Sequence, residues 1–286
     1  MRYAGWGLVF LAGCIVQPQP DPPLEGADDD EVPDDAGAGD SDADTDADSD
    51  TDGDTDYGAE CSPGADTVVD LETDDGLALA ADFHAAGTGG APAAVLLHMH
   101  PPSGFNRTNW PPELIDALVD AGVSVLNVDR RGAGDSEGDP ADAPGPDGWL
   151  DAEAAYDHLA SNGCDVDATR IAWIGASNGT TTALDFTIAA AEDDAVLDSA
   201  ALVFLTGGDY TENQNTVEGA RTVLEPLPIL FAYQASESAW SEQFMDGAPG
   251  GWEFLEISGG HGTEIFGIDD SLAPAIVDFL SRTLAP

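Results

Sequence analysis

The chain of 286 residues carries 56 acidic side chains against seven basic ones, a formal net charge of −49. All seven basic residues are arginine. Because phosphate contacts need a basic face, this composition excludes nucleic-acid binding. It indicates either adaptation to high salt, in which an acidic surface stays hydrated and its self-repulsion is screened, or a compositional bias of a secreted lineage.

The first 13 residues form a short apolar segment with one basic residue, Arg2. They lead into Leu11-Ala-Gly-Cys14, which resembles the lipobox of bacterial and archaeal lipoproteins. The segment is shorter than the roughly 20 residues that span a bilayer. We expect residues 1–13 to be a lipoprotein signal peptide, and Cys14 to carry a lipid that anchors the exported protein to the cell envelope, at the outer membrane or cell surface. The alternative is a buried N-terminal helix with an incidental cysteine.

Aspartate alternates with alanine, serine, threonine and glycine through much of residues 14–60. Such a segment has too little apolar surface to offset its ordering entropy, and its like charges keep it extended. We expect a disordered acidic stalk that joins the anchor to a domain of residues 61–286. The segment Asp48–Gly53 also matches the first half of a calcium loop, but the glutamate that an EF-hand needs at its twelfth position is Ala59 here.

Two further cysteines, Cys61 and Cys164, make an even pair once Cys14 is lipidated. In an exported protein such a pair favours a disulfide, which would tie the start of the domain to a later loop. Two free thiols are the alternative.

After Cys61, short apolar runs alternate with amphipathic stretches. Strands are predicted at Val68–Leu71, Leu77–Phe83, Ala93–His98, Ser124–Asp129, Ile171–Ile174, Ala200–Leu205, Ile229–Tyr233 and Trp252–Ile257. Helices are predicted at Pro112–Ala121, Trp149–Ala160, Thr180–Ala191 and Ala273–Leu284. Strands that are apolar on both faces and alternate with helices predict an α/β fold with a mostly parallel, doubly wound sheet. No internal repeat and no second domain is evident, so a single domain is expected.

The sequence Gly175-Ala-Ser177-Asn-Gly179 lies between a predicted strand and a predicted helix. A sharp strand-to-helix turn needs residues without bulk two positions before and after its central serine, and the two glycines meet that need. Ser177 would then project from the carboxyl end of the sheet as a nucleophile. The free N–H groups at the start of the following helix would stabilise a developing oxyanion.

Three motifs together resemble the alpha/beta hydrolase superfamily, and the resemblance covers nearly all of residues 64–286. The first is the Gly-x-Ser-x-Gly elbow at Ser177. The second, Asp129–Ser136, looks like the family's Asp-x-Arg-Gly-x-Gly-x-Ser segment. The third, Leu96–Pro101, is similar to its oxyanion loop, although Met99 replaces the usual glycine. The resemblance implies a hydrolase of the cap-less esterase or dienelactone-hydrolase type, without a cofactor or metal.

In this family the acid and the histidine follow the serine in that order. Glu237 follows the strand Ile229–Tyr233, where the family's acid usually stands, and Asp209 after the preceding strand is the alternative. His261 lies in Ser258-Gly-Gly-His-Gly262 and is the only histidine after both acids. The predicted triad is therefore Ser177, Glu237 and His261.

The predicted oxyanion hole consists of the backbone N–H of Asn178 together with that of His100 or Met99. His98 and His100 have no third ligand at a useful spacing, so no metal site is expected. Asp129 and Arg131 are interpreted as a structural ion pair that braces their loop. Trp110 and Trp240 line either an acyl pocket or the core.

These residues predict a serine hydrolase that cleaves an ester-type bond of a small molecule through an acyl-enzyme. Peptidase, lipase and thioesterase activities are open alternatives, and the oligomeric state is left open. A different class of function is a catalytically silent, surface-anchored binding protein that keeps the hydrolase fold, which Met99 would favour. A third is an adhesion component whose acidic stalk is the functional part.

Overall fold

One mixed sheet of eight strands runs through the part of the chain that the structure describes. This computed structural model describes residues 66–87, 89–99, 104–161, 166–193, 196, 198–210 and 215–286. The strands are β1 (Asp66–Glu72), β2 (Ala78–His84), β3 (Ala91–Leu97), β4 (Ser124–Val128), β5 (Val166–Ala176), β6 (Ala201–Leu205), β7 (Ile229–Gln234) and β8 (Trp252–Ile257). Their order is β1-β2-β4-β3-β5-β6-β7-β8. β2 is antiparallel to β1 and β4, and the remaining pairs are parallel.

Helices cover both faces of this sheet. They are α1 (Pro112–Asp120), α2 (Leu150–Ser161), α3 (Gly179–Glu192), α4 (Arg221–Leu224), α5 (Ser238–Glu242) and α6 (Leu272–Thr283). α2 and α3 pack against each other on one face, and α1 and α6 pack against each other on the opposite face. The predicted mostly parallel, doubly wound α/β sheet is therefore confirmed.

The core alternates between the two faces along each central strand. In β5, Ile171 and Trp173 belong to the apolar cluster under α2 and α3. Ala172 and Ile174 belong to the cluster under α1 and α6. All four side chains are buried. Successive side chains of a strand point to opposite faces, so a strand covered on both sides must be apolar at every position. This requirement explains why the central strands are the most visible elements in the sequence.

Two features of the secondary structure differ from the sequence prediction. β5 begins at Val166 rather than Ile171, because its first half is only partly buried and carries polar residues that give no apolar pattern. The helices α4 and α5 are four and five residues long, too short to show a helical repeat of apolar residues.

The segment 206–228 between β6 and β7 holds only the short helix α4 in its described part, and no large cap is present there. The described residues all fall within one compact unit. Within them, no helix is both long and apolar enough to cross a membrane. The predicted signal peptide, Cys14, the acidic stalk with its calcium-like segment, and Cys61 and Cys164 lie outside the described residues.

Candidate active site

Ser177 lies in a tight turn between β5 and α3, at the carboxyl end of the sheet. Its φ of 51° falls in the left-handed region, which a non-glycine residue adopts only under constraint. The Ser177 N–H donates to the Leu205 carbonyl at 2.8 Å, which fixes the turn to the end of β6. A Cβ at Gly175 would collide with the Gly179 backbone, and a Cβ at Gly179 would collide with the Leu97 carbonyl. Both glycines are therefore required by close backbone contacts.

Three predicted side chains meet at this turn. His261 Nε2 lies 2.7 Å from Ser177 Oγ, and His261 Nδ1 lies 2.9 Å from Glu237 Oε2. A carboxylate accepts only, so Nδ1 carries the ring proton and Nε2 is free to accept from the serine hydroxyl. Ser177 comes from the end of β5, Glu237 from the turn after β7, and His261 from the loop after β8. The parallel strands bring these three residues to one edge of the sheet.

Asp209, the alternative acid, points to a different partner. Its carboxylate accepts a hydrogen bond from Trp240 Nε1 at 3.1 Å. Glu237 occupies the position next to His261 Nδ1, so the geometry favours Glu237 over Asp209 as the acid of the triad.

The loop that carries His261 is held from two sides. Gly262 has a φ of 55°, and a Cβ there would collide with Met99 Sδ. The Gly262 N–H donates to Thr206 Oγ1 at 2.7 Å. Thr206 itself has a φ of 48° and is buried at the end of β6. Sequence reasoning missed Thr206, because a threonine at a left-handed position carries no local signal.

The predicted oxyanion donors are only partly described. Asn178 directly precedes α3, and Met99 is buried just after β3, beside the nucleophile turn. His100 lies outside the described residues. The Arg130 N–H donates to His98 Nε2 at 3.0 Å, which leaves the ring proton of His98 on Nδ1. That proton is donated to the Met99 carbonyl at 2.8 Å and orients the peptide that follows Met99.

A family model described as "Serine aminopeptidase, S33" matches residues 89–217. This segment includes Ser177 but ends before Glu237 and His261. No curated protein matches the chain.

Solved structures match over most of the chain. An esterase of Pyrococcus furiosus superposes with a TM-score of 0.62 at 17% identity, over 77% of this chain and 92% of that one. An alpha-beta hydrolase of Vibrio vulnificus gives 0.59 at 19% identity, over 76% and 81%. A dienelactone hydrolase of Anabaena variabilis gives 0.57 at 18% identity, over 78% and 100%. The chain has the alpha/beta-hydrolase fold. Together with the family match, this fold supports a hydrolase.

The Asp-x-Arg-Gly-x-Gly-x-Ser segment of this hydrolase fold acts as a brace. Asp129 accepts the Arg107 N–H at 2.7 Å and the Asp135 N–H at 2.9 Å, and it forms an ion pair with Arg107. Arg131 pairs with Asp151 at 2.7 Å and with Asp75 at 2.9 Å. The expectation that Asp129 and Arg131 form one ion pair is therefore wrong, since each is neutralised by a partner from another element.

Arg130, between these two residues, is fully buried beneath the turn at Ser177. Its guanidinium donates to the His98 carbonyl at 3.1 Å and to Asn178 Oδ1 at 2.9 Å. It also donates to the Ala143 carbonyl at 2.9 Å and to Thr182 Oγ1 at 2.6 Å. Burial lowers the pKa of Arg130 to about 10, so it remains protonated at neutral pH. Sequence reasoning missed this residue, because an arginine is expected at the surface.

Tyr210 is a second neighbour of the triad that the sequence did not reveal. Its hydroxyl donates to the Thr206 carbonyl. Its ring meets the His261 ring edge-on, with centroids 6.4 Å apart. Burial raises the pKa of Tyr210, and the Glu237 charge adds to that rise while the Ser177 hydroxyl opposes it. The phenol is thus neutral, and its one proton is directed at the Thr206 carbonyl.

The two tryptophans considered as pocket residues have different surroundings. Trp110 is buried in the core under α1 and α6, with its ring 6.0 Å from that of Phe266. Trp240 packs on Phe204 and lines a narrow cleft with Tyr210. Of the two, only Trp240 borders the candidate site. In the part of the chain that is described, no group of three or more His, Cys, Asp or Glu side chains is arranged to hold a metal ion.

Proposed function

We propose that this protein is a serine hydrolase that cleaves an ester bond of a small molecule through an acyl-enzyme. Ser177 is the nucleophile, His261 the general base and Glu237 the acid that orients the histidine. The observation that carries the proposal is the hydrogen-bonded series from Glu237 through His261 to Ser177 Oγ, set on a strained strand-to-helix turn.

The first half of the reaction forms the acyl-enzyme. Ser177 Oγ attacks the carbonyl carbon of the ester, its proton moves to His261 Nε2, and the carbonyl electron pair moves onto the oxygen. The backbone N–H of Asn178 and one N–H of the loop after β3 stabilise that oxyanion. The intermediate then collapses, the bond to the alkoxy oxygen breaks, and His261 returns the proton to the leaving alcohol.

Water completes the second half by the same steps. His261 takes a proton from the water, whose oxygen attacks the acyl carbon. Collapse of the second intermediate releases the carboxylic acid and returns the proton to Ser177. Glu237 stabilises the imidazolium in both halves and keeps the proton of the neutral ring on Nδ1.

The openness of the site favours an ester of a small molecule. The His261 and Glu237 side chains are 35% and 38% exposed, so solvent and substrate reach the triad directly. No large cap is seen in the described part of 206–228. Peptide cleavage is the second candidate, because the matching family model is named for serine aminopeptidases. An exposed carboxylate near the triad, Asp209, is available to bind a free α-amine.

Active-site labelling tests the proposal. The full chain and Ser177→Ala are treated with a fluorophosphonate probe and assayed with p-nitrophenyl acetate, beside an alanine-derived p-nitroanilide. Ser281→Ala, which removes an exposed hydroxyl on α6, is the matched control. We expect labelling and ester turnover in the wild type and in Ser281→Ala, and neither in Ser177→Ala. A folded wild type that neither labels nor turns over either substrate would contradict the proposal and favour a silent binding protein.

We also propose that a lipid on Cys14 anchors the enzyme to the cell envelope, supported by the sequence Leu11–Cys14. We expect the wild type to partition into the detergent phase and Cys14→Ser to remain in the aqueous phase. Equal partitioning of the two proteins would contradict it. A disulfide between Cys61 and Cys164 stays a prediction.

A further inference from the structure

Arg130 is a buried cation whose four side-chain hydrogen bonds all go to neutral oxygens. The acceptors are two backbone carbonyls, an amide and a hydroxyl. Its Nε–H has no partner among the described residues. Burial of a charge without a hydrogen-bonded counter-ion is costly, and core arginines are normally paired. Although the protein has 56 acidic residues, no carboxylate among the described residues accepts a hydrogen bond from Arg130.

The carboxylate whose charge attracts Arg130 most strongly is already engaged. Asp151 accepts from the side chain of Arg131 at 2.7 Å and from its backbone N–H at 2.9 Å. Two buried arginines therefore share one fully buried carboxylate, and the outer partner of Arg131, Asp75, is 37% exposed. Arg130, Arg131, Asp75 and Asp151 together carry no net charge, and Arg130 is the positive end of this cluster, under the turn at Ser177.

This charge contacts both sides of the predicted oxyanion hole. The same nitrogen of the guanidinium donates to Asn178 Oδ1 and to the His98 carbonyl. Asn178 directly follows the nucleophile, and His98 starts the loop after β3. The backbone N–H of Arg130 also fixes the His98 ring, which in turn holds the Met99 carbonyl. One residue thus sets the orientation of the two segments whose N–H groups would bind the oxyanion.

We propose that Arg130 is a positioning residue of the oxyanion hole, and that its buried positive charge stabilises the negative oxygen that forms during attack by Ser177. The inference rests on the proposed serine hydrolase mechanism. A preorganised charge in a site of low dielectric stabilises the developing oxyanion more than the neutral ground state. It therefore lowers the activation barrier and leaves the affinity for the ester nearly unchanged.

The test compares Arg130→Met, which keeps the length but removes the charge, with Arg130→Lys, which keeps a charge. Enzyme concentrations are taken from fluorophosphonate titration, so that only folded, reactive sites are counted. For Arg130→Met we expect kcat to fall roughly 10-fold to 100-fold with little change in KM, because one oxyanion donor is worth on the order of 100-fold. Arg130→Lys should lose less.

Binding of a boronic acid supplies a readout that a purely structural role would not move. The boron forms a tetrahedral anion on Ser177 Oγ, so its affinity should fall by the same factor as kcat. Thr182→Val is the matched control, because it removes a neutral acceptor of the same guanidinium on the side away from Asn178. It should lower the melting temperature and leave kcat and boronate affinity within about 2-fold.

Three results would overturn the proposal. One is a folded Arg130→Met enzyme with unchanged kcat and boronate affinity, and another is an equal loss in Thr182→Val. If Arg130→Met does not fold, Asn178→Ala decides, because it breaks the link to Arg130 and keeps the backbone N–H. Unchanged kcat and boronate affinity in Asn178→Ala is the third result that would overturn the proposal. Activity that survives in Ser177→Ala would instead refute the serine hydrolase mechanism itself.

Discussion

At the scale of single residues, the site depends on which side chain reaches which atom. Glu237 and Asp209 follow neighbouring strands, and sequence position alone favours one without excluding the other. The hydrogen bonds separate them, since Glu237 meets His261 and Asp209 meets Trp240. The residue that lowers the barrier in concert with His261 is therefore expected to be Glu237.

Glu237→Gln should lower kcat by roughly 100-fold to 10,000-fold, because an amide no longer holds the ring proton on Nδ1 of His261. Asp209→Asn should stay within about 2-fold of the wild type, since the amide oxygen of asparagine can still accept the hydrogen bond from Trp240 Nε1. Steady-state hydrolysis of p-nitrophenyl acetate measures both. Equal losses in the two variants would show that the acid has been assigned wrongly.

At the scale of elements, loops after parallel strands position the reactive groups, and the backbone geometry of these loops determines which substitutions they accept. Gly262 and Gly247 both have a positive φ, 55° and 75°, but only Gly262 faces a close neighbour, Met99 Sδ. A comparison of alanine substitutions at these two glycines therefore distinguishes the effect of backbone strain from the effect of displacing the loop that carries His261.

Gly247→Ala should cost about 1 kcal/mol of unfolding free energy, the usual penalty for a left-handed non-glycine residue, with unchanged kcat. Gly262→Ala should add a collision that moves His261, and a shift of about 1 Å in a catalytic group costs on the order of 100-fold in rate. Urea unfolding and kcat, measured on both proteins, test this. A Gly262→Ala enzyme with wild-type kcat would show that the loop adapts.

The helix α3 carries a buried carboxylate that makes stability depend on pH. Burial raises the pKa of Asp185 to about 6, although its carboxylate accepts the Asn215 N–H at 3.0 Å. The folded state therefore holds this proton more tightly than the unfolded state, in which aspartate titrates near pH 4. The stability associated with Asp185 is complete below about pH 4 and is lost as the pH rises through about 6.

Asp185→Asn keeps a carbonyl acceptor and removes this loss. We expect it to raise the urea midpoint relative to the wild type at pH 7, and to leave it nearly unchanged at pH 4. Asp116→Asn, at an exposed position of α1, is the control and should show no such difference between the two pH values. A gain of equal size at both pH values would refute the titration of Asp185 as the cause.

The sequence was sufficient for the parts of the fold that depend on local pattern. Continuous apolar runs marked the central strands, and the spacing of small residues around Ser177 marked the turn. Neither Thr206 nor Tyr210 was found, because their importance comes from φ and from contacts across strand ends. Arg130 was missed for a different reason, since its burial depends on neighbours from three separate segments, at His98, at Ala143 and at Asn178 with Thr182.

At the scale of the whole molecule, charge is the dominant feature. The described ion pairs include several at the surface, such as Arg282 with Glu253 and Asp278, where the arginine side chain is 51% exposed. Such pairs are worth about 0–1 kcal/mol each and weaken in salt. Repulsion among the 56 acidic residues also weakens in salt. The repulsive pairs among these residues far outnumber the attractive pairs that seven arginines can form, so screening of repulsion is the larger effect.

Stability should therefore rise with ionic strength. Between about 0.01 M and about 1 M sodium chloride the Debye length falls from about 30 Å to about 3 Å, which removes most repulsion between surface charges. The melting temperature, followed by circular dichroism, should increase over this range. A neutral osmolyte at matched osmolality is the control for solvent exclusion. A melting temperature that is constant or falls with salt would refute high-salt adaptation.

The loop with His261 follows β8, and β8 is the last strand at its edge of the described sheet, with a neighbour only at β7. An edge strand can separate from the sheet while the central strands stay paired. The Ser177 turn would then remain intact with its nucleophile unactivated. If Ser177 and His261 act as proposed, activity requires that β8 stays paired with β7, and we expect inactivation to precede the collapse of the fold.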